Sequence, residues 1–180
     1  MAKGVSDINE FFLIRQAQKG NTDALESLIT NYYPIIFAFI ARRTGNHELA
    51  KDLTQDTFLR LVNGIGGYKP TGKFANYLFT IAVNVCHDYY RKNRILFEDV
   101  DMDSLPAENV SALRLEYLED NLVLRDLIEK LPDMQKEVLL LRFFHDLKIK
   151  DIAKITNTSI PTVKSRLRQG LGKLRKMMDL

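Results

Sequence analysis

The stretch KIKDIAKITNTSIPTVKSRLRQGLGKLRKMM, residues 148 to 178, reads as a helix, a tight turn and a second helix. Each helical residue advances about 100° around the axis, which places Ile149, Ile152, Ala153 and Ile155 together as the apolar side of the first helix. Thr156, Asn157, Thr158 and Ser159 form the turn, where Asn157 can take the left-handed conformation that most side chains avoid. Ser159 suits an N-cap and Pro161 the first helical turn. In the second helix Val163, Leu167, Leu171, Leu174 and Met178 share one face. The opposite face presents Thr162, Ser165, Gln169 and Lys176, with Lys164, Arg168 and Arg175 on one shoulder and Arg166 and Lys173 on the other. Residues 160 to 178 carry six cations and no acid. Small polar groups between two rows of cations suit a helix that reads base edges in a major groove while gripping both phosphate ridges. A basic helix alone would also fit a membrane surface, but the central aromatics of such a helix are missing and the helix-turn-helix spacing favours duplex DNA. The candidate reading residues are Thr162, Lys164, Ser165, Arg166, Arg168 and Gln169.

Upstream of this unit the 180-residue chain shows helical periodicity throughout and no sustained alternation, so the fold class expected is all-α. Helices are expected over 7–18, 22–43, 47–63, 73–94, about 113–130, 133–145, 148–155 and 160–178. Gly20-Asn21, Gly45-Asn46 and the run GIGGYKPTG at 64–72 break the pattern, because glycine and proline disfavour helix interiors. The net charge of +3 hides an uneven distribution. Residues 1–94 carry 12 Lys/Arg against 8 Asp/Glu, residues 123–180 carry 13 against 7, and residues 95–122 between them hold eight acids and one base, Arg114. This suggests two small helical domains, 1–94 and 118–180, joined by a flexible acidic linker over 95–117. The most apolar run, YYPIIFAFIA at 32–41, is half the length of a membrane span. With one cysteine, Cys86, and no signal peptide, the expected compartment is a reducing cytoplasm.

KFANYLFTIAVNVCHDYYRKNR at 73–94 is two-sided. Phe74, Leu78, Ile81, Ala82, Val85 and Tyr89 fall on one face, and Lys73, Asn76, Thr80, Asn84, His87, Arg91 and Arg94 on the other. A solvated face with cations answering the helix dipole would look the same. The preceding loop, however, carries Tyr68, Lys69 and Lys73, an aromatic ring and cations suited to an unstacked base and its phosphates. On 47–63, Asp52, Gln55, Asp56, Leu59 and Asn63 share a face whose acids would repel a phosphate backbone, so it is read as a protein-binding face or a plain solvated one.

No catalytic residues, metal or cofactor are expected. His47, His87, His145 and Cys86 show no ligand spacing, Cys86 and His87 are adjacent and diverge on a helix, and GIGGYKPTGK lacks the ending of a phosphate loop. Two functions fit these features: a DNA-binding protein with a second, single-strand surface on 73–94, or a stand-alone helix-turn-helix regulator with an N-terminal effector or dimerisation domain.

Three blocks resemble the extracytoplasmic-function (ECF) sigma factors of the bacterial sigma-70 family. They are GNTDALESLITNYYPIIFAFIARRTGNHELAKDLTQDTFLRLV, KFANYLFTIAVNVCHDYYR with Phe74, Tyr77, Leu78, Ile81, Ala82, Asn84, Asp88 and Arg91 at the patterned positions, and LPDMQKEVLLLRFF followed by TVKSRLRQGLGKLR. The resemblance implies a sigma region 2-like domain and a region 4-like domain acting in RNA polymerase. By it, Tyr68, Lys69, Lys73, Asn76, Thr80, Asn84, His87 and Arg91 would handle the −10 element, and the 160–178 helix the −35 element. It further implies that the face of Asp52, Gln55, Asp56, Leu59 and Asn63 docks on the β′ clamp coiled coil, that the C-terminal domain meets the β flap, and that an anti-sigma factor, often membrane-anchored, restrains the protein. Tyr77 stands where the family often has tryptophan.

Overall fold

The computed structural model describes residues 7–70, 73–94 and 122–178. The expected linker at 95–117 and the start of the helix expected near 113 lie outside them. Every regular element among the described residues is helical: α1 (Asp7–Gln18), α2 (Thr22–Thr44), α3 (His47–Gly64), a single 3-10 turn (Ile65–Gly67), α4 (Phe74–Arg94), α5 (Leu122–Glu129), α6 (Asp133–Leu139), a π turn (Leu140–Phe144), α7 (Ile149–Ile155) and α8 (Ile160–Met177).

The helix ends follow from local chemistry. Asn21 caps α2 by accepting from the Ala24 amide at 2.9 Å, Asn46 caps α3 by accepting from Glu48 and Leu49 at 3.0 Å each, and Ser159 caps α8 by accepting from Thr162 at 3.2 Å. Gly45 ends α2 in the left-handed region at φ 64°, where its amide still reaches Ala41 O. Asn157 takes φ 50° in the turn before α8, the role its short side chain permits.

α2 is the centre of the N-terminal lobe and packs on α1, α3 and α4. Leu28, Ile36, Phe39 and Ile40 from α2 are buried with Leu53, Phe58 and Leu61 from α3 and Phe74, Leu78 and Ala82 from α4. In the C-terminal lobe α8 lies across α6 and α7, burying Val163, Leu167, Leu171 and Leu174 against Leu139, Ile152 and Ile155. Gly170 makes that approach possible, since a Cβ there would come 2.7 Å from Leu139 Cδ1. Each fully buried aliphatic or aromatic side chain contributes about 1.5–3 kcal/mol.

Two features differ from the sequence expectation. The helix expected over 133–145 widens after Leu139 into a π turn, which rotates the residues that follow it. And the two lobes are docked: α2 and α4 pack against α5, α6, the π turn and α7, so one buried core runs through both.

Candidate nucleic-acid interface

On α8 the cap brings Thr162 Oγ1 to 2.8 Å from Ser159 Oγ. Lys164 is exposed, and Thr162 and Ser165 are half-exposed beside it. The remaining candidates are less open than the helical wheel implies. Gln169 is half-buried and accepts a hydrogen bond from Gln135 Nε2 on α6 at 3.2 Å. Arg168 is half-buried with a buried Nε, and Arg166 is desolvated enough that burial pushes its pKa below the ordinary guanidinium value. The wheel treats α8 as a rod with one packed side, whereas α5, α6 and α7 flank it on several.

On α4 the packed side is wider than expected. Besides Phe74, Leu78, Ala82 and Val85, a second row of Phe79, Val83 and Cys86 is buried, while Ile81 and Tyr89 are only half-buried. The second row faces the C-terminal lobe, with Phe79 meeting the His145 ring at 4.8 Å. Of the expected −10 stripe, Asn84 and Arg91 are exposed; Thr80 is half-buried and turns its hydroxyl back to Asn76 O at 2.8 Å. His87 does not face open solvent: its Nε2 lies 2.9 Å from Glu137 Oε2 on α6. Asp88 accepts from Arg60 Nη1 of α3 at 2.8 Å and from Arg91 at 3.0 Å, and the Arg60 hydrogen bond holds its carboxyl below the usual range. Of the loop candidates Lys69 and Lys73 are exposed. Tyr68 is not a free stacking platform, because its ring packs 4.6 Å from Tyr77 and 5.3 Å from Phe74. Gln18 of α1 fixes this loop by donating to Ile65 O at 3.1 Å and to Tyr68 O at 2.7 Å.

The acidic face of α3 is where the periodicity puts it. Asp52, Gln55, Asp56 and Asn63 are exposed around Leu59, which is 60% exposed, while Ala50, Leu53, Thr57 and Leu61 are buried beneath. Val62 is exposed next to them.

A polar cluster absent from the sequence reading lies between the lobes. Glu137 is fully buried and forms an ion pair with Arg43 of α2, itself 1% exposed. Burial lowers the Arg43 pKa, and its guanidinium also lies 5.9 Å over the Tyr90 ring, whose hydroxyl burial pushes up to about 12. His87 is pushed down to about 4 by burial first and then by the cations Arg43 and Arg166. With its pKa held this low the ring is neutral, and a neutral ring facing a carboxylate donates Nε2–H to it. His145 is likewise pushed down to about 4, by burial and Arg42. It is wedged between Phe39 and Phe79, and its neighbour Phe144 lies under the Arg42 guanidinium at 4.8 Å. Cys86 is buried alongside with its thiol pushed up to about 11, which leaves it unreactive. The spacing of Phe79, Val83, Cys86 and Tyr90 on α4 is the signal that could have revealed this seam. Among the described residues no three His, Cys, Asp or Glu side chains converge as metal ligands.

Residues 28–95 match the family model for sigma-70 region 2 and residues 121–174 that for sigma-70 region 4. The chain is 31% identical over 160 residues to the RNA polymerase sigma factor YlaC of Bacillus subtilis, covering 87% of this chain and 92% of that protein. It is 28% identical over 181 aligned residues to the ECF RNA polymerase sigma factor SigW of the same organism, covering 92% and 94%. In fold it is similar to CnrH, solved in complex with the cytosolic domain of CnrY, with a TM-score of 0.69 and 24% identity over 95% of this chain and 97% of that one. The region 2 match over the N-terminal lobe disfavours the stand-alone regulator.

Proposed function

Because the chain belongs to the ECF group of the bacterial sigma-70 family, and such proteins are sigma factors of RNA polymerase, we propose a division of labour among its surfaces. The α3 face of Asp52, Gln55, Asp56, Leu59 and Asn63 docks on the β′ clamp coiled coil of core polymerase. An exposed leucine ringed by acids supports this, because such a surface offers an apolar anchor to protein and repulsion to phosphate. Domain 1–94 opens the −10 element, with Asn84 and Arg91 on α4 and Lys69, Lys73 and Tyr68 in the adjoining loop handling the displaced strand. Asn76, Thr80 and His87 complete that stripe, and His87 becomes available only when Glu137 lets go. Domain 118–180 reads the −35 element through Thr162, Lys164, Ser165, Arg166, Arg168 and Gln169 and meets the β flap. The acidic stretch 95–117 joins the two. No catalytic step is assigned to the chain. The working compartment is the cytoplasm, and an anti-sigma factor restrains the chain, a reading supported by the similar fold of the sigma factor RpoE from Bartonella quintana, solved in complex with the anti-sigma factor NepR.

The single observation carrying this reading is the order of the two matched regions on one chain, each ending in an amphipathic helix that bears cations, α4 and α8. Gel shift and run-off transcription on promoter fragments, with and without core polymerase, test it. Specific binding and transcripts should appear only with the core enzyme. Tight operator binding by the protein alone, with no effect of core polymerase, would overturn it.

A further inference from the structure

We infer that Gln18 of α1 is a positioning residue for strand separation, holding the glycine-rich loop in the shape in which Tyr68 and Lys69 meet the displaced strand. This role rests on the reading of that loop as a single-strand surface. Gln18 precedes residue 28, where the match to region 2 begins, so the match itself does not account for it.

The loop has little to order it from within. Gly64, Gly66 and Gly67 flank Ile65, and glycine loses more backbone freedom on being fixed than any other residue. The 3-10 turn is closed by the hydrogen bond from Tyr68 N to Ile65 O at 3.1 Å. The carboxamide of Gln18 spans the same two residues, donating to Ile65 O at 3.1 Å and to Tyr68 O at 2.7 Å. A primary amide nitrogen has two N–H donors, and this geometry uses both. The second of these bonds lies on the carbonyl that leads directly into the exposed Lys69, so the direction in which the chain leaves the turn is set from α1.

The side chains around the loop are arranged on this grip. The Tyr68 ring packs 4.6 Å from Tyr77 and 5.3 Å from Phe74. A Cβ on residue 64 would come 2.9 Å from the Tyr77 hydroxyl, so glycine there lets the ring sit where Tyr68 packs on it. Phe74 meets Tyr32 edge-on at 5.4 Å, and the Tyr32 hydroxyl donates to Glu10 of α1. α1 therefore addresses this aromatic cluster with a polar side chain at each end. Its attachment to the lobe has another source, since Ile14 and Ala17 are buried and the helix packs on α2. Removing the Gln18 carboxamide frees the loop without detaching the helix. A loop ordered in advance meets a strand without losing freedom at that moment; a released one must lose it then, so the cost falls on strand separation rather than on earlier binding steps.

The test uses the full chain, free and assembled with core polymerase. In the free protein, hydrogen exchange at the Tyr68 amide should be about tenfold faster in Gln18→Ala than in wild type, with exchange in α2 and α4 unchanged. In holoenzyme, permanganate reactivity of −10 thymines should appear about tenfold more slowly, while association with core polymerase and binding to a −35 duplex stay within about twofold of wild type. Gln18→Glu sets a carboxylate against two carbonyl oxygens. Relative to wild type it should open promoters as poorly as Gln18→Ala at about pH 8 and recover in part at about pH 6, where the protonated acid can donate to one of them. The ratio of Gln18→Ala to wild type should be the same at both. Unchanged exchange or undiminished opening in Gln18→Ala overturns the inference, as does a loss of opening that only follows losses in melting temperature and core binding. A Gln18→Glu ratio that does not change with pH overturns the donor role. Asn84→Ala and Lys69→Ala mark off the reading beneath it. If both open promoters normally, the assignment of α4 and the loop fails and the positioning role with it; if both are defective and Gln18→Ala is not, the positioning role alone fails.

Discussion

Acidification should open the seam between the lobes. His87 and His145 are both neutral when docked, with pKa values of about 4 against an ordinary 6.5. The groups around His87 are Arg43 from α2, Glu137 and Asp133 from α6, Arg166 from α8 and Asp88 on its own helix, and burial outweighs them all. A docked pKa below the separated one means that the ring's contribution to docking is complete above about pH 6.5 and drains away as the pH falls toward 4. For one such ring, the docking free energy at pH 5 is smaller than at pH 7 by about 2 kcal/mol. His145, whose packing against Phe39 and Phe79 is lost on separation, contributes a similar amount, so the two together shift the docked-to-separated ratio by roughly a thousandfold. The assay is NMR titration of the imidazole carbons in the free full-length protein, paired with the lobe distance at pH 7 and pH 5. His87→Gln retains an amide donor for Glu137 and should remove about half of the pH dependence. The reasoning fails if both rings titrate near their ordinary value in the docked protein, or if the lobe distance is the same at the two pH values.

Other perturbations probe other parts of the molecule. Gly170→Val drives side-chain atoms into Leu139 and should cost about 1–3 kcal/mol of stability, read as a lower urea midpoint; an unchanged midpoint would mean that α8 does not approach α6 this closely. Arg43→Met orphans a buried carboxylate and should destabilise the protein by about 3–5 kcal/mol, whereas Arg43→Met with Glu137→Met should recover most of that loss. Simple additivity of the two single changes in thermal melts would show that the pair is not coupled. Asp56→Arg reverses a charge on the exposed α3 face without disturbing the core below, and should abolish co-purification with core polymerase while leaving the melting temperature within a degree or two.

The helices were legible because their punctuation is chemical and local. Asn21, Asn46 and Ser159 cap helices where the sequence implies it, and Asn157 supplies the left-handed turn residue in place of glycine. The exposed face of α3 was legible for the same reason, since one packed side and one free side are what a helical wheel assumes. α4 violates that assumption by packing on two sides, so Phe79 and Val83, which continue the buried side on which Cys86 sits, fall outside the better-filled face that the wheel picks out. The π turn left no trace because LLRFF is apolar at four of five positions and reads equally well at either period. Arg43 and Glu137 each look like ordinary surface charges. Their burial depends on a partner brought from the other lobe, and no local pattern encodes it.

The double grip of Gln18 on Ile65 O and Tyr68 O sets a length limit further along. With Tyr68 pinned and α4 beginning at Phe74, five residues connect two fixed points, and drawn out fully they measure about 17 Å. A strand that must leave one anchor and return to another nearby reaches at most about half its contour, roughly 8 Å. That is enough to close over a single nucleotide base and far too little to encircle a duplex. One glutamine on α1, held to the backbone of Tyr68, thereby limits how far the short segment between Tyr68 and Phe74 can reach around its target.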